Sequence, residues 1–364
     1  MKRRRFLTYS AAFAVLGSSG HALDTSAGRL EVARITGGLS TPWAFGFLPD
    51  MSVLVTERDG TLQHIGGGRM SPVAGVGQVT TGGQGGLLDL LVPADFARTR
   101  ELFFTFAKAQ GGGKGTAVAR ARLSTDGRRL EDWQVIYEIR RGSSRGRHFG
   151  SRLVEAGDGT LFVTVGDRGD RPSAQDLSVE NGSVLRITRR GGVPGNNPFT
   201  KTQGARPAIW SWGHRNPQGA ALDGQGRLWV VEHGARGGDE LNLVRRGANF
   251  GWPVISYGRH YSGGKIGEGT EKPGMEQPVH YWDPSIAPSG LMFCSGRLFP
   301  AWRGAAFVGS LKQDYLSRIA GDPMREVEQI RLPGARRIRD VREAPDGAIW
   351  VLAAGNGSLY RLSK

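Results

Sequence analysis

The chain has 364 residues with 57 glycines, one cysteine and a formal charge of +15. The lone Cys294 excludes an intramolecular disulfide and any Cys-based zinc or iron–sulfur centre, and glycine without a Gly-X-Y period excludes collagen. The arginines are spread along the chain, with no zinc finger, RNA-recognition signature or basic helix. A basic solvated surface is expected rather than a nucleic-acid binder.

The first residues read as a leader. Lys2-Arg3-Arg4-Arg5-Phe6-Leu7 precedes the apolar run Ala11 to Leu16, and Gly20-His21-Ala22 offers a small-x-small cleavage site. The run is too short to span a bilayer, so residues 1–22 read as a signal peptide, and the paired arginines before Phe6 suit the twin-arginine route. Residues 23–364 are expected to form one soluble periplasmic domain without a transmembrane anchor.

A unit of strand, tight turn, strand, polar loop and strand then recurs. Trp43 to Phe47 leads through Pro49-Asp50 to Val53-Leu54-Val55-Thr56, and Asp59-Gly60 turns into Thr61 to Ile65. Ser151 to Val154, Asp158-Gly159, Leu161 to Val165 and Val184 to Ile187 repeat it. So do Asp223-Gly224, Leu228 to Val231 and Leu241 to Val244, and finally Val341, Asp346-Gly347, Ile349 to Leu352 and Leu359 to Leu362. Asp-Gly between β-rich runs is a strong hairpin signal, and its recurrence predicts a radial or stacked all-β architecture. A β-propeller accounts for it better than a sandwich plus a second domain. Helical turns are expected only at Ala94 to Ala97 and near Asp176. The longest loops, Arg168 to Asp176 and Val254 to Ile286, are natural places for a site.

Several residues carry chemistry. His148 stands at a strand entrance between Gly146 and Gly150, where it can reach a central channel as a general base or pack as a structural histidine. Gln84 sits in the loop Gly82-Gly83-Gln84-Gly85-Gly86, which lacks the Lys and Ser/Thr of a phosphate-binding loop. Arg215, Asn216, Lys312, Arg337 and Arg339 fall at strand boundaries in separate repeats, and such boundaries converge on a propeller axis. Converging cations repel unless an anion with several carboxylates or phosphates lies among them; independently solvated arginines are the other reading. Asp239-Glu240 and the backbone of Gly234 and Ala235 offer hard oxygens, better suited to calcium than to zinc.

Taken together, the segments GQGGLLDL, RHFGSRL, GHRNPQG, EHGARGGDELN, NFGWP, APSG and RIRDV, in this order, resemble the soluble PQQ-dependent aldose sugar dehydrogenases of the glucose/sorbosone dehydrogenase family. The resemblance runs from Thr41 to the last repeat and implies a six-bladed β-propeller that oxidises an aldose at the anomeric carbon. It implies His148 as the base, Arg215 and Asn216 on the quinone oxygens, Gln84 at the cofactor edge, and Lys312, Arg337 and Arg339 on the PQQ carboxylates. The backbone oxygens of Gly234 and Ala235 would hold a calcium ion at the quinone, and Glu240 with the Phe250 carbonyl a second one. Ala235 replaces a usual proline, Phe250 a common tyrosine, and Gly195-Asn196-Asn197-Pro198-Phe199 has asparagine where aspartate is frequent. Loops after Tyr257 and before Ala287 are short, which implies an open pocket and broad aldose use, with Tyr257, Tyr261 and Trp282 as candidate walls or loop core. The expected partners are a small aldose and an external electron acceptor, for a monomer or weak dimer. A calcium-dependent propeller lactonase and a non-enzymatic glycan- or partner-binding propeller are the rival readings. A lactonase has no reason to gather Lys312, Arg337 and Arg339 around one anion.

Overall fold

A computed structural model describes residues 20–364. The expected leader falls in residues 1–19, outside the described residues, except for Gly20, His21 and Ala22; the last two open a strand, His21–Thr25.

Six antiparallel sheets form the blades of a propeller. Their innermost strands are Pro42–Phe47, Leu87–Leu91, Leu153–Glu155, Pro217–Leu222, Pro288–Phe293 and Ile338–Glu343, and each packs against the next in a closed ring. We number the blades 1 to 6 in that order. Blade 6 draws on both ends of the chain. Gly28–Thr36 pairs with Ser358–Ser363 in the register Glu31↔Ser363, and His21–Thr25 adds a further strand outside it.

Blades 1, 3, 4 and 6 are those whose repeat is visible in the sequence, and they share one turn. Asp50, Asp158, Asp223 and Asp346 each accept the backbone N–H two residues on, at 3.0, 3.1, 2.9 and 3.0 Å. The side chain thus mimics a turn of backbone, and Gly159 (φ 77°) and Gly347 (φ 87°) supply the left-handed residue that follows. Blades 2 and 5 lack this turn. Their first two strands are joined through short helical turns, Phe96–Thr99 and Pro300–Trp302, which break the sequence repeat. The expected turns near Ala94 and Asp176 appear as Phe96–Thr99 and Arg171–Gln175. One strand lies inside the segment read as a long loop: His280–Trp282, the outer strand of blade 4.

The core lies between neighbouring blades. Trp350 packs with Phe45, Trp229 with Val308, and Phe103 with Val163. Each such side chain contributes roughly 1.5–3 kcal/mol of burial. Near the axis, charge takes over. Arg152, 3% exposed, bridges Asp89 Oδ1 at 3.0 Å and Asp340 Oδ1 at 3.1 Å. Arg342 meets the same carboxylates at 2.8 and 2.9 Å. This neutral quartet ties blades 2, 3 and 6 together; removing one member would leave a buried charge unpaired, at a cost of about 3–5 kcal/mol.

Candidate active site

In an antiparallel blade, the loop entering the first strand and the loop leaving the second lie at the same end. His148 and Arg215 come from entering loops, Arg339 from the start of the first strand of blade 6, and Asp167, Gly234 and Lys312 from leaving loops. Ring geometry therefore collects them on one face.

His148 takes a left-handed conformation (φ 54°) between Gly146 and Gly150. A Cβ at Gly150 would stand 2.8 Å from the Thr164 carbonyl oxygen, so glycine lets this turn lie against the neighbouring strand. The His148 amide donates to Gln84 Oε1 at 2.7 Å, and the Gln84 amide donates to the Gly146 carbonyl at 2.8 Å. The imidazole Nδ1 lies 2.6 Å from Asp167 Oδ1, with the two side chains 12% and 0% exposed. The Asp167 carboxylate also accepts the Gly169 amide at 2.7 Å and the Trp252 indole N–H at 2.9 Å. Burial opposes the charge on Asp167, yet these donors hold its pKa below the usual carboxylate value. An ionised acceptor fixes the proton on Nδ1 and leaves the Nε2 lone pair free. Burial also lowers the pKa of His148, against the opposite pull of Asp167, so the ring is neutral at pH 7.

Two adjoining cavities lie beside this dyad. The larger, about 530 Å³, is lined by Gln84, Asn216, Lys312, Arg337 and Arg339 together with Trp43, Arg58, Gln218 and His233. The Lys312 ammonium makes no hydrogen bond or ion pair within the described residues. Arg339 donates to Gln218 Oε1 at 2.8 Å, and its pKa is pushed down to about 9 by burial and by the charges of Arg152, Arg337 and Arg58. Cations crowded until they repel, around a cavity of this size, fit an anion with several carboxylates or phosphates. Trp43, which also lines the cavity, has the Arg152 guanidinium 4.5 Å from its ring centroid.

The smaller cavity, about 10 Å³, is lined by Arg215, Gly234, Glu240 and Phe250, with Glu232, Gly238 and Trp252. Two carboxyl groups, Glu232 and Glu240, face it beside the Arg215 guanidinium. Burial and the neighbouring Glu232 raise the pKa of Glu240 to about 8. Carbonyl oxygens converge beside it: a Cβ at Gly234 would lie 2.1 Å from Gly237 O and 2.2 Å from Gly238 O. Among the described residues no three His, Cys, Asp or Glu side chains form a metal cluster. A hard cation would thus rely on backbone oxygens, a donor set that fits calcium. The Ala235 carbonyl accepts the Arg259 N–H at 2.8 Å, which leaves it one lone pair to offer. His233 lines both cavities; its Nε2 lies 2.8 Å from the Pro288 carbonyl oxygen, and burial with the Arg215 charge lowers its pKa to about 3.

Arg215 links the two. Its amide donates to Glu232 Oε2 at 2.6 Å, its Nη1 to the His233 carbonyl at 3.1 Å, and its buried Nε has no partner among the described residues. That unpartnered donor is a further sign of a missing oxygen ligand.

The aromatic expectations fare unevenly. Trp282 lines neither of these two cavities. It sits on the outer strand of blade 4, 5% exposed, packed with Trp229 and Leu241, and its indole N–H donates to Glu326 at 3.1 Å. Tyr257 stacks on Tyr281 with ring centroids 4.1 Å apart and does not line the large cavity. Tyr261 is 71% exposed, and its backbone carbonyl accepts a hydrogen bond from Arg236 at 3.1 Å. Asp167, His233, Gln218 and Trp252 were not singled out from the sequence. Asp167 had a legible signal, an acid between glycines directly after the strand Leu161–Val165.

A family model described as Glucose / Sorbosone dehydrogenase matches residues 39–361. The aldose sugar dehydrogenase YliI of Escherichia coli (strain K12) is 43% identical over 335 residues, covering 89% of this chain and 90% of the relative. The crystal structure of the soluble aldose sugar dehydrogenase from Escherichia coli in its apo form matches with a TM-score of 0.89 at 41% identity, over 92% of this chain and 99% of that one. The PQQ-bound aldose sugar dehydrogenase from Streptomyces coelicolor matches with a TM-score of 0.75 at 26% identity, over 91% and 97%. Fold and sequence agree: the chain belongs to the glucose/sorbosone dehydrogenase family and is an enzyme, a dehydrogenase.

Proposed function

We propose that this enzyme is a periplasmic quinoprotein that oxidises aldoses at the anomeric carbon to lactones, with PQQ and calcium as cofactors and an external acceptor other than oxygen. The observation that carries the reading is the His148–Asp167 dyad, 2.6 Å between its nitrogen and oxygen, beside a cavity ringed by Arg58, Lys312, Arg337 and Arg339. When bound, PQQ supplies a calcium-polarised quinone that accepts a hydride from the sugar.

The chain does the rest. Lys312, Arg337 and Arg339 hold the cofactor carboxylates, Arg215 and Asn216 contact its quinone oxygens, and Gln84 borders its edge. Gly234 and Ala235 offer carbonyls to one calcium, and Glu240 with the Phe250 carbonyl to a second. His148 Nε2 takes the proton of the anomeric hydroxyl, and Asp167 keeps the ring in the tautomer that can do so. Tyr261 borders the sugar on the solvent side. A lactonase would need a base and a metal but no cationic ring. A glycan-binding module would need neither the dyad nor the ring.

Reconstitution tests this. Protein made without PQQ should be inactive with glucose and regain activity only with PQQ plus calcium. Arg339→Ala should weaken the PQQ titration about ten- to a hundredfold, the value of one lost charge-assisted contact. Activity sustained by NAD or a flavin, without response to PQQ, overturns the reading.

A further inference from the structure

An oxidised sugar leaves two electrons behind, and the surface beside the cavity mouth bears on where they go. Residues 140–147 read Arg-Arg-Gly-Ser-Ser-Arg-Gly-Arg, four arginines in eight residues ending directly at His148. Arg140, Arg141, Arg145 and Arg147 are all exposed. None of them lines the large cavity, so the cofactor reading leaves them unused.

The segment is held rigidly. Ser143 and Lys114 exchange backbone hydrogen bonds of 2.9 and 3.0 Å, and the Ser143 hydroxyl donates to the Arg168 carbonyl at 2.9 Å. Its charge is barely offset. Arg141 lies 3.8 Å from Asp170, and Arg145 donates to the Gly169 carbonyl at 2.6 Å. The Arg140 and Arg147 guanidiniums make no hydrogen bond or ion pair within the described residues. Nearby Glu138 is already engaged by Lys108 at 2.7 Å. Arg236, Arg259 and Arg336, also exposed, continue the positive field around the same face. A fixed positive edge steers a negative partner and orients it, with rate gains of about 10–10³ at low salt.

We propose that the Arg140–Arg147 segment is the docking edge for an acidic one-electron carrier protein, which collects electrons at the cavity mouth. The proposal rests on the dehydrogenase reading above. Oxidation of one aldose to its lactone releases two electrons and two protons. Two oxidised carriers in turn each accept one electron, and the two protons pass to solvent. Arg147, next in sequence to His148, sets the carrier's edge beside the reacting centre, where the electron path is shortest.

The experiment uses holoenzyme reduced by glucose and follows its reoxidation in a stopped-flow instrument. The oxidants are an acidic c-type cytochrome, a basic one and an uncharged small quinone, at ionic strengths from about 20 to about 500 mM, which span the range where exposed charges become screened. The acidic carrier should react faster than the basic one at low salt and lose about tenfold or more in rate as salt rises, while the small quinone stays flat. The double variant Arg140→Glu/Arg141→Glu should lose about tenfold with the acidic carrier at low salt and keep its PQQ titration and its rate with the small quinone. Salt-insensitive reoxidation, or a variant that retains the acidic-carrier rate, overturns the docking alone. Binding to anionic lipid vesicles that the double variant loses, with carrier kinetics unchanged, overturns it in favour of a membrane surface. If glucose drives no reduction of the small quinone by wild-type holoenzyme, the dehydrogenase reading falls, and this proposal with it.

Discussion

Two histidines of this propeller make almost the same bond. His148 Nδ1 lies 2.6 Å from Asp167 at the entrance to blade 3, and His214 Nδ1 lies 2.7 Å from Glu232 at the entrance to blade 4. What differs is the other nitrogen. His214 Nε2 lies 2.9 Å from the Ser211 hydroxyl, and its ring is fully buried and stacked on Phe250, 4.5 Å between centroids. His148 Nε2 has no partner within the described residues, and its side chain keeps 12% of its exposure. A carboxylate behind an imidazole therefore does not mark a base. The proposed base needs an unsatisfied Nε2 such as that of His148, whereas a satisfied Nε2 in the core suits a strut.

The largest expected effect separates the two directly. His148→Asn should lose about 10²–10⁴ in the rate of cofactor reduction by an aldose, the usual cost of removing a general base. Asparagine tolerates the left-handed backbone at φ 54° and keeps the amide bond to Gln84, and Asp167 retains its bonds from Gly169 and Trp252, so the unfolding transition should move less than for a histidine that loses two buried partners. A rate within about threefold of wild type would assign His148 to the same structural class as His214.

Asp167→Asn should come next, with a loss of roughly a hundredfold in turnover at unchanged PQQ affinity. The removed carboxylate raises the His148 pKa, so its loss should move the acid limb of the kcat profile to lower pH. A structural role alone would leave that limb in place.

His214→Asn reverses the pattern. Ser211 and Glu232 lose a buried partner, which should cost about 1–3 kcal/mol of unfolding free energy. Turnover per folded molecule, with calcium in excess, should stay within about threefold, far from the loss of a base. Chemical denaturation beside initial rates would show it, and an equal loss of turnover without destabilisation would erase the distinction.

The smallest effect is in the wild type. Burial lowers the His148 pKa, and only the neutral ring can accept the proton. The acid limb of kcat/KM should therefore fall at a pH below the ordinary histidine value of about 6.5, and activity should be lost only as the pH drops through that lowered value. A limb above pH 6.5 would mean that Asp167 outweighs burial.

Local chemistry made four of the six blades legible. Asp50, Asp158, Asp223 and Asp346 set their turns through atoms two residues away, a range that a sequence displays directly. Blades 2 and 5 were silent because a helical turn replaces the Asp-Gly corner, and their number came from resemblance rather than from counting repeats. The cationic residues were readable as strand-boundary arginines and a lysine. Their convergence was expected only through the propeller reading, because it depends on the ring closing where Glu31 meets Ser363, strands from opposite parts of the chain. For Trp282 the sequence left pocket wall and core both open, and only its place on an outer strand assigned it to the core.

The sequence alone determined which segments become strands and which side chains stand at their ends, since alternation and turn chemistry act between neighbours. The tertiary structure decided which of those ends share a cavity and which carboxylate stands behind which histidine. Those pairings span 19 residues for His148 and Asp167, and 121 for Gln218 and Arg339, distances over which no local preference acts. Only the closed ring of blades, with its buried interfaces between neighbouring sheets, holds such pairs together.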